Sequence, residues 1–265
     1  MLAPPGPSFD AVLDRALAEL GLDLTPGMRA ALDAQARLVL AWSPFVNLTA
    51  IRDPAGVALE HVADSLAAVP TLLERLAARR PPRRPVTLLD VGSGAGYPGL
   101  PVAVAIPAAE ASLVDSVGRR TAFLEVVASA AARAFQDHGE EPVRWRVVTA
   151  RAEALGRRPE YRERWEIVTA RAVAALPGLL ELALPLVRPG GVFVAWKRDA
   201  GDGAFADELA AALPLLETLG ADPQPATERV RLTGLDDHLL VCVAKRRATP
   251  ERYPRRTPQR RRLLP

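Results

Sequence analysis

The chain has 265 residues and a formal net charge of +3, from 34 Lys+Arg and 31 Asp+Glu. This length allows one large domain with an appendage or two modest domains, and 49% hydrophobic residues support a sizeable core. No uncharged apolar run of about 18 residues occurs, and no leader opens the chain, so we expect a soluble cytoplasmic protein without membrane contact. The single cysteine, Cys242, excludes an internal disulfide and lies in an apolar run typical of a buried strand.

The first 80 residues predict a small helical unit. Ser8 can cap a helix that runs to about Leu20, and Thr25-Pro26 begins a second helix with apolar residues at helical spacing. Ser43-Pro44 is expected to end the second helix near Trp42, because proline interrupts the hydrogen bonds of a helix interior. Residues 81–85, PPRRP, are predicted to be a linker.

Two further helices complete the predicted unit, one opened by Asp53-Pro54 and one that reaches Arg80. His61, Asp64 and Ser65 lie on one side of the first of these helices, at positions i, i+3 and i+4. A lone histidine is more often structural than functional, so His61 alone is a weak candidate for a site.

The apolar pattern changes from Val86 onward. Short apolar runs alternate with helical segments, which predicts a mostly parallel α/β sheet with helices on both faces. Only a turn separates the last two runs, which should therefore form an antiparallel hairpin. The predicted strands are Val86–Val91, Ala111–Val114, Arg144–Val148, Trp165–Thr169, Gly191–Trp196, Arg229–Leu232 and His238–Ala244, and the predicted helices are Pro98–Ile106, Gly118–Phe135, Val173–Leu186 and Phe205–Leu219.

A glycine-rich turn follows the first strand. Gly92, Gly94 and Gly96 stand at a spacing of two, behind Asp90. A dinucleotide-binding turn needs glycine at the sixth position, where this chain has Tyr97, so a nicotinamide enzyme is disfavoured. G-x-G-x-G behind an acid is instead typical of turns that hold S-adenosylmethionine (SAM).

Asp115 provides a second test of this hypothesis. It ends the next predicted strand, 23 residues after Gly92, where a carboxylate can accept both ribose hydroxyls of an adenosine. The alternative is an ordinary strand-turn-helix whose acids face solvent. Asp90, Asp115 and the alternating strands together favour SAM.

Residues 245–265 carry nine basic residues and one acid, a net charge of +8. The rest of the chain is therefore acidic, at −5. Prolines interrupt this segment, which predicts a flexible tail. It is either a solvated end or a nucleic-acid arm, because clustered positive charge attracts phosphate.

Several motifs occur together: Asn47-Leu48-Thr49, His61-x-x-Asp64-Ser65, Asp90-x-Gly92-Ser93-Gly94-x-Gly96-x-Pro98-Gly99-x-Pro101, Asp115, Arg119-x-x-x-Phe123-Leu124 and Arg171-Ala172. From about residue 10 to 245, this combination resembles the small-subunit rRNA (guanine-N7) methyltransferase family, also called glucose-inhibited division protein B. Tyr253–Arg256 also resembles the C-terminus of some members. Ser93 replaces the more usual threonine, and Ser43-Pro44 replaces a stretch containing asparagine.

The resemblance implies a SAM-methyltransferase fold with a seven-stranded, mostly parallel sheet, SAM as cofactor and no metal. The implied substrate is one guanosine in the decoding-region loop of 16S rRNA, within the small ribosomal subunit or its assembly intermediate. The protein is expected to act as a monomer. The chain would comprise a helical unit (1–80), a methyltransferase domain (86–244) and a basic tail (245–265).

The candidate site residues fall into three groups. Residues at strand ends, expected to act on the reacting groups, are Arg171, Lys197 and Arg151. Those expected to bind the cofactor are Asp90, Gly92, Gly94, Gly96, Tyr97, Asp115, Ser116, Val117, Ala152, Glu153 and Arg171. Those expected to bind RNA are Asn47, His61, Arg151, Lys197, Arg255 and Arg256.

The chemistry implied by the resemblance needs no general base, because guanine N7 has a lone pair and no proton. This agrees with the lack of a recognisable Ser/His/Asp or metal pattern, and catalysis would come from placement of the reactants. Two alternatives remain at this point. A methyltransferase for a small molecule would have a deep closed pocket, and a non-catalytic RNA-binding protein would not need Asp90, Asp115 and three glycines.

Overall fold

The computed structural model describes residues 4–78, 85–106 and 109–255. Within this part of the chain one seven-stranded sheet has the order β3-β2-β1-β4-β5-β7-β6. The strands are β1 (Val86–Val91), β2 (Ala109–Asp115), β3 (Arg144–Thr149), β4 (Trp165–Arg171), β5 (Val187–Arg198), β6 (Ala226–Arg229) and β7 (His238–Ala244). β1 to β5 pair in parallel, whereas β7 pairs antiparallel with both β5 and β6. The predicted fold class is confirmed.

The order of the strands reverses at β1, which pairs with β2 on one side and with β4 on the other. In sheets of this kind, ligands bind in the crevice at the carboxyl ends of the strands that flank such a reversal. The glycine turn follows β1 directly. The topology thus places the turn at the expected crevice.

The helices before the sheet are α1 (Pro7–Leu20), α2 (Pro26–Val46), α3 (Pro54–Gly56), a π-helical segment π1 (Val57–Ala63), α4 (Asp64–Leu66) and α5 (Val69–Ala77). The helices between the strands are α6 (Gly99–Ala105), α7 (Gly118–Asp137), α8 (Ala152–Leu155), α9 (Leu176–Ala183) and α10 (Ala204–Thr218). No helix among the described residues is long and apolar enough to cross a membrane.

Two hydrophobic cores lie on opposite faces of the sheet, because successive strand residues point to opposite faces. Leu88 belongs to one core, together with apolar residues of α1, α2, π1, α6 and α7. Leu89 belongs to the other, with apolar residues of α9 and α10. The N-terminal helices therefore share a core with the sheet. The division of the chain into two units at residues 81–85 stays a prediction, and residues 79–84 lie outside the described part.

The structure corrects two predicted details of the N-terminal helices. Ser8 lies inside α1, whose N-cap is Gly6. Helix α2 does not end at Ser43-Pro44 but continues to Val46, with Pro44 in its last turn, and Asn47 ends it in the left-handed conformation, at φ 51°. Pro44 has no N–H to donate to the Leu40 carbonyl, so the helix continues past it without that hydrogen bond.

Two elements of the sheet region also differ from prediction. Helix α9 begins at Leu176 and not at Val173, because Ala172 has a positive φ of 56° and redirects the chain after β4. Strand β6 spans Ala226–Arg229 and not Arg229–Leu232, so the more apolar run forms the connection to β7.

The segment after β7 is not loose where the structure describes it. Residues 245–255 pack against α8 and α9, with Lys245, Thr249 and Tyr253 buried. The Arg255 guanidinium is bound to Glu181 of α9. The prediction of a flexible tail is therefore wrong for residues 245–255, because their polar groups pair with groups elsewhere in the fold. Residues 256–265, including Arg256, lie outside the described residues.

Candidate active site

The glycine turn after β1 is fastened to β2. The N–H groups of Gly92 and Ser93 both donate to the Val114 carbonyl, at 2.8 and 2.9 Å. The Ser93 Oγ donates to the Asp90 carbonyl at 3.1 Å and accepts from the Val114 N–H at 3.0 Å. These bonds fix the turn at the carboxyl edge of the sheet.

The three glycines of the turn have positive φ angles but different surroundings. φ is 72° at Gly92, 55° at Gly94 and 90° at Gly96, a region that favours glycine. A Cβ on Gly94 would meet no atom closer than 3.9 Å, whereas a Cβ on Gly96 would lie 2.8 Å from the Gln35 Nε2. Gly92 and Gly94 border cavities, and Gly96 borders helix α2 instead.

Asp90 lies beneath the turn and lines neither of the two cavities beside it. Its side chain is fully buried, and its Oδ1 accepts a hydrogen bond from the Thr169 Oγ1 at 2.7 Å. Burial raises the pKa of the Asp90 carboxyl to about 6. This carboxyl supports the turn from below, and its contact with the cofactor stays a prediction.

A cavity of about 560 Å³ lies beyond the ends of β2 and β3. We call it the acceptor cavity after its hydrogen-bond acceptors, the carboxylates of Asp115 and Glu153. Ser116, Arg151 and Ala152 line it as well. The Asp115 Oδ2 accepts from the Gly94 N–H at 3.0 Å, and its Oδ1 accepts from the Val117 N–H at 2.9 Å. Each carboxylate oxygen can accept a further hydrogen bond, so Asp115 can still bind two hydroxyls.

A second cavity, of about 550 Å³, lies on the other side of the turn, beside β4 and π1. We call it the arginine cavity after Arg171, which lines it with His61, Tyr97 and Lys197. The rings of His61 and Tyr97 stack with centroids 4.8 Å apart, and the Arg171 guanidinium lies 5.7 Å from the Tyr97 centroid. Gly92, Arg120 and Ala172 line both cavities, which therefore adjoin.

Arg171 is held in place by its neighbours. Its Nη1 donates to the Asp64 Oδ2 at 2.6 Å and to the Glu60 carbonyl at 3.0 Å. Its Nη2 lies 3.2 Å from the His61 Nδ1. These contacts use three of the five N–H groups of a guanidinium, and the remaining two have no partner among the described residues.

Asp64 connects Arg171 to two other strands. Its Oδ1 lies 2.8 Å from the His238 Nδ1 at the start of β7, and its carbonyl accepts from the Trp196 Nε1 at 2.8 Å. The side chain of Asp64 is 1% exposed. One buried residue of α4 thus contacts β4, β5 and β7.

His61 is fixed as a neutral side chain. The His61 Nδ1 lies 3.2 Å from both the Arg171 Nη2 and the Glu60 carbonyl oxygen, and its Nε2 lies 2.7 Å from the Thr49 Oγ1. Burial and, next, the charge of Arg171 lower the pKa of His61 to about 4. His61 belongs to π1, and π-helical turns are frequent at functional sites.

The other two strand-end cations lie in different cavities. Lys197 lines the arginine cavity, and its Nζ donates to the Ala174 carbonyl at 3.0 Å and to the Glu208 Oε1 at 2.6 Å. Arg151 lines the acceptor cavity, is exposed, and has no side-chain partner among the described residues. The three predicted catalytic residues thus surround the two adjoining cavities.

Three other predicted residues that the structure describes do not line either cavity. Val117 precedes helix α7 and contributes its N–H to Asp115. Asn47 ends helix α2 next to Leu48 and Thr49, which do line the arginine cavity. Arg255 is bound to the buried carboxylate of Glu181, so its predicted contact with RNA is not supported; Arg256 lies outside the described residues.

Prediction from sequence assigned no site role to Asp64, Thr49, Arg120 or His238, all of which line the arginine cavity. Asp64 and Thr49 stood in motifs that were noticed but given no chemistry. Arg120 lies 3.7 Å from the Asp115 Oδ2. Nothing in the sequence distinguishes His238 from an ordinary residue at the start of a strand. Trp196, expected to lie in the core, is buried there and donates to Asp64.

The residues present fit SAM. The open space at Gly94, where any side chain would fill the border of the arginine cavity, allows a ligand to approach the backbone. Asp115, preorganised by two N–H groups, suits ribose hydroxyls, and Arg171 retains N–H groups for an anionic or carbonyl acceptor. Both cavities fall within the usual size range for ligand sites.

Comparison with known proteins agrees with this geometry. A family model described as GidB, rRNA small subunit methyltransferase G, matches residues 28–213. A ribosomal RNA small subunit methyltransferase G of Symbiobacterium thermophilum is 36% identical over 249 residues, covering 94% of this chain and 95% of that protein. Its counterpart in Roseiflexus castenholzii is 40% identical over 215 residues, covering 81% of this chain and 82% of that protein. The chain therefore belongs to the GidB family of rRNA small subunit methyltransferases.

Proposed function

We propose that this protein transfers the methyl group of SAM to N7 of a single guanosine in the decoding-region loop of 16S rRNA. The observation that carries the proposal is the pair of adjoining cavities at the switch point of the sheet. The acceptor cavity offers the carboxylates of Asp115 and Glu153, and the arginine cavity offers the guanidinium of Arg171, so the pair suits a reaction between two ligands. The relatives named above methylate small-subunit rRNA by name.

The acceptor cavity would hold the adenosine part of SAM. Asp115 offers its two oxygens to the ribose hydroxyls, and α8 offers Ala152 and Glu153 to the adenine. When bound, SAM supplies a methyl group on a positively charged sulfur. The chain itself has only to place this group in line with the attacking nitrogen.

The arginine cavity would hold the guanine. N7 has a free lone pair, so the neutral His61 beside the cavity need not accept a proton. Guanine O6 is a hydrogen-bond acceptor next to N7, and the two unused N–H groups of Arg171 can donate to it. Asp64 holds the guanidinium in place while these bonds form.

Lys197 and Arg151 flank the site at the two strand ends, and each would bind phosphate groups of the RNA on either side of the target. We expect the protein to act as a monomer in the cytoplasm, where small subunits are assembled. Sedimentation of the free protein, which reports its mass in solution, tests whether it is a monomer.

The decisive experiment is methyl transfer from labelled SAM to naked 16S rRNA and to assembled small subunits lacking the modification. Borohydride and aniline cleave RNA at 7-methylguanosine, so the position of the label can be mapped to one nucleotide. We expect one cleavage site, with label absent from the exocyclic amines.

Two variants sharpen this experiment. Arg171→Ala should reduce labelling by about 100-fold or more, since it removes a positioned hydrogen-bond donor. Arg133→Ala removes an exposed arginine of α7 and should leave labelling unchanged. Label on another atom of the RNA, or on a small molecule alone, would contradict the proposal.

A further inference from the structure

Several side chains hold the segment that follows β7 in the fold, among them Arg157, whose Nη2 donates to the Pro254 carbonyl at 2.5 Å, and Arg162. We call residues 245–255 the C-terminal strap. The Arg162 guanidinium donates to three strap carbonyls, those of Thr249, Pro250 and Tyr253, at 2.7, 3.2 and 2.8 Å. The same guanidinium donates to the Gly156 carbonyl, at the end of α8, at 2.6 Å. Arg162 therefore joins the strap to α8.

Helix α8 depends on such support. It has only four residues, Ala152–Leu155, and so short a helix is not stable without tertiary contacts. Leu155 packs in the same core cluster as Tyr253 of the strap. A Cβ on Gly156 would lie 3.1 Å from Pro254, so strap and helix end are in close contact. Ala152 and Glu153, on the same helix, line the acceptor cavity.

The strap also reaches the second helix that lines this cavity. Glu181 of α9 is 2% exposed and accepts from the Arg255 backbone N–H at 2.5 Å, from its Nε at 2.9 Å and from its Nη2 at 2.6 Å. Gly178 and Leu182 of the same helix line the acceptor cavity. The strap thus contacts the C-terminal end of α8 and helix α9, the two helices that line the acceptor cavity.

We propose that Arg162 is a positioning residue for SAM: by fastening the C-terminal strap to α8, it sets the wall of the acceptor cavity against which the adenosine binds. This inference rests on the proposed function. Arg162 does not line the cavity and would not contact SAM. Its effect would therefore fall on the affinity for SAM and not on the transfer step.

The test measures SAM binding by calorimetry, together with KM for SAM and kcat on small subunits, in the full-length protein. Arg162→Ala should raise Kd and KM for SAM about tenfold, the loss expected for one hydrogen bond to a ligand, with kcat at saturating SAM within about twofold of wild type. Arg162→Lys can keep only part of the fork of hydrogen bonds, so its Kd for SAM should lie between those of the wild type and Arg162→Ala.

Deletion of residues 249–265 removes the three strap partners of Arg162, leaving the Gly156 carbonyl, and should weaken SAM binding to a similar degree. If Arg162 acts through the strap, a protein with both Arg162→Ala and the deletion should bind SAM no more weakly than either change alone. Independent effects on Kd would instead multiply. Deletion of residues 256–265 keeps the strap and is the matched control, with unchanged affinity for SAM.

Arg188→Ala provides a control for lost stability, because it breaks an ion pair with the buried Glu166 and Arg188 lines neither cavity of the site. Suppose that Arg188→Ala lowers the melting temperature as much as Arg162→Ala does. If Arg188→Ala then also raises Kd for SAM by the same factor, the inference is overturned, and an unchanged Kd in Arg162→Ala would overturn it too. Wild-type protein that binds no SAM would overturn the proposed function and this inference together, whereas normal SAM binding by Arg162→Ala would leave the proposed function intact.

Discussion

Asp64 divides one buried carboxylate between two partners, Arg171 and His238. A buried carboxylate that loses its cation costs about 3–5 kcal/mol. We therefore expect Arg171→Ala to lower the free energy of unfolding by about 3 kcal/mol, in addition to its loss of turnover. Denaturant unfolding and kinetics on the same protein measure both effects. A stability loss below about 1 kcal/mol would show that the pair contributes little to the fold.

A double variant separates the two roles of Arg171. Asp64→Asn with Arg171→Gln replaces the charged pair by two amides that can hydrogen-bond to each other. It should recover much of the stability lost in Arg171→Ala without recovering turnover. Arg144→Ala, which breaks the exposed pair with Glu110, is the control and should change stability by less than about 1 kcal/mol.

Two buried groups near the glycine turn should respond to acid in opposite ways. Burial raises the pKa of Asp90 to about 6, so its protonated form stabilises the fold. This contribution is complete below the ordinary pKa of an aspartic acid and is lost as pH rises through 6. The pKa of His61 is lowered to about 4, so its neutral form stabilises the fold above pH 6.5, and this contribution is lost as pH falls toward 4. The two contributions offset each other in the wild type.

Single substitutions should reveal the two titrations. When pH falls from 7 to 4, the wild type should gain stability relative to Asp90→Asn and lose stability relative to His61→Gln. Each difference should be about 3 kcal/mol, since one pKa unit corresponds to about 1.4 kcal/mol. Unfolding measured at several pH values gives both differences. Parallel curves for wild type and either variant would contradict the corresponding shift.

At the scale of elements, helix α2 supports the glycine turn from the side opposite the ligand. The Gln35 Nε2 donates to the Ala95 carbonyl at 3.1 Å and lies where a side chain on Gly96 would be. Gly96→Ala should therefore combine the cost of a positive φ with a collision and lower the free energy of unfolding by about 2 kcal/mol or more.

Gly139 provides the matched control for Gly96. It also has a positive φ, 70°, but a Cβ there would meet nothing within 4 Å. Gly139→Ala should cost only about 1 kcal/mol, the conformational part. Gln35→Ala in the Gly96→Ala background should recover the difference between the two. Equal losses in both alanine variants would show that α2 does not press on the turn.

Prediction from sequence succeeded where one local pattern determines the element. Apolar runs located β1 and β7 to the residue, and glycines with an acid located the turn. It failed where a distant contact decides. The basic segment after β7 suggested a flexible tail, but Glu163 pairs with Lys245 there and the buried Glu181 pairs with Arg255.

At the scale of the whole molecule, the charge left to bind RNA is smaller than the sequence suggests. Residues 256–265 contain four arginines and no acid, so their deletion changes the net charge from +3 to −1. If all four contact phosphate, the log–log salt slope of RNA binding should flatten by about 3, at about 0.7 for each contact. Affinity for SAM should not change.

Filter binding at several salt concentrations measures these slopes. The methylated position should stay the same in the shortened protein, because phosphate contacts position the protein but do not read the sequence. Equal slopes for the two forms would place the RNA-binding cations on the cavity rim instead, at Arg151, Lys197 and Arg198. A cut after Ala244 would be a poor test, since it also removes the C-terminal strap.

The contacts of Asp64 have a consequence for chimeric proteins. Its side chain and carbonyl reach Arg171, Trp196 and His238, which stand on three different strands. In a hybrid that joins the N-terminal helices of one family member to the sheet of another, Asp64 comes from one parent and its three partners come from the other. All four residues must therefore be compatible. Where Arg171 or His238 differs, the hybrid inherits a buried carboxylate that lacks one partner, and where Trp196 differs, the Asp64 carbonyl loses its donor. Recombination within this family should therefore succeed at crossover points that keep Asp64 and its partners from one parent.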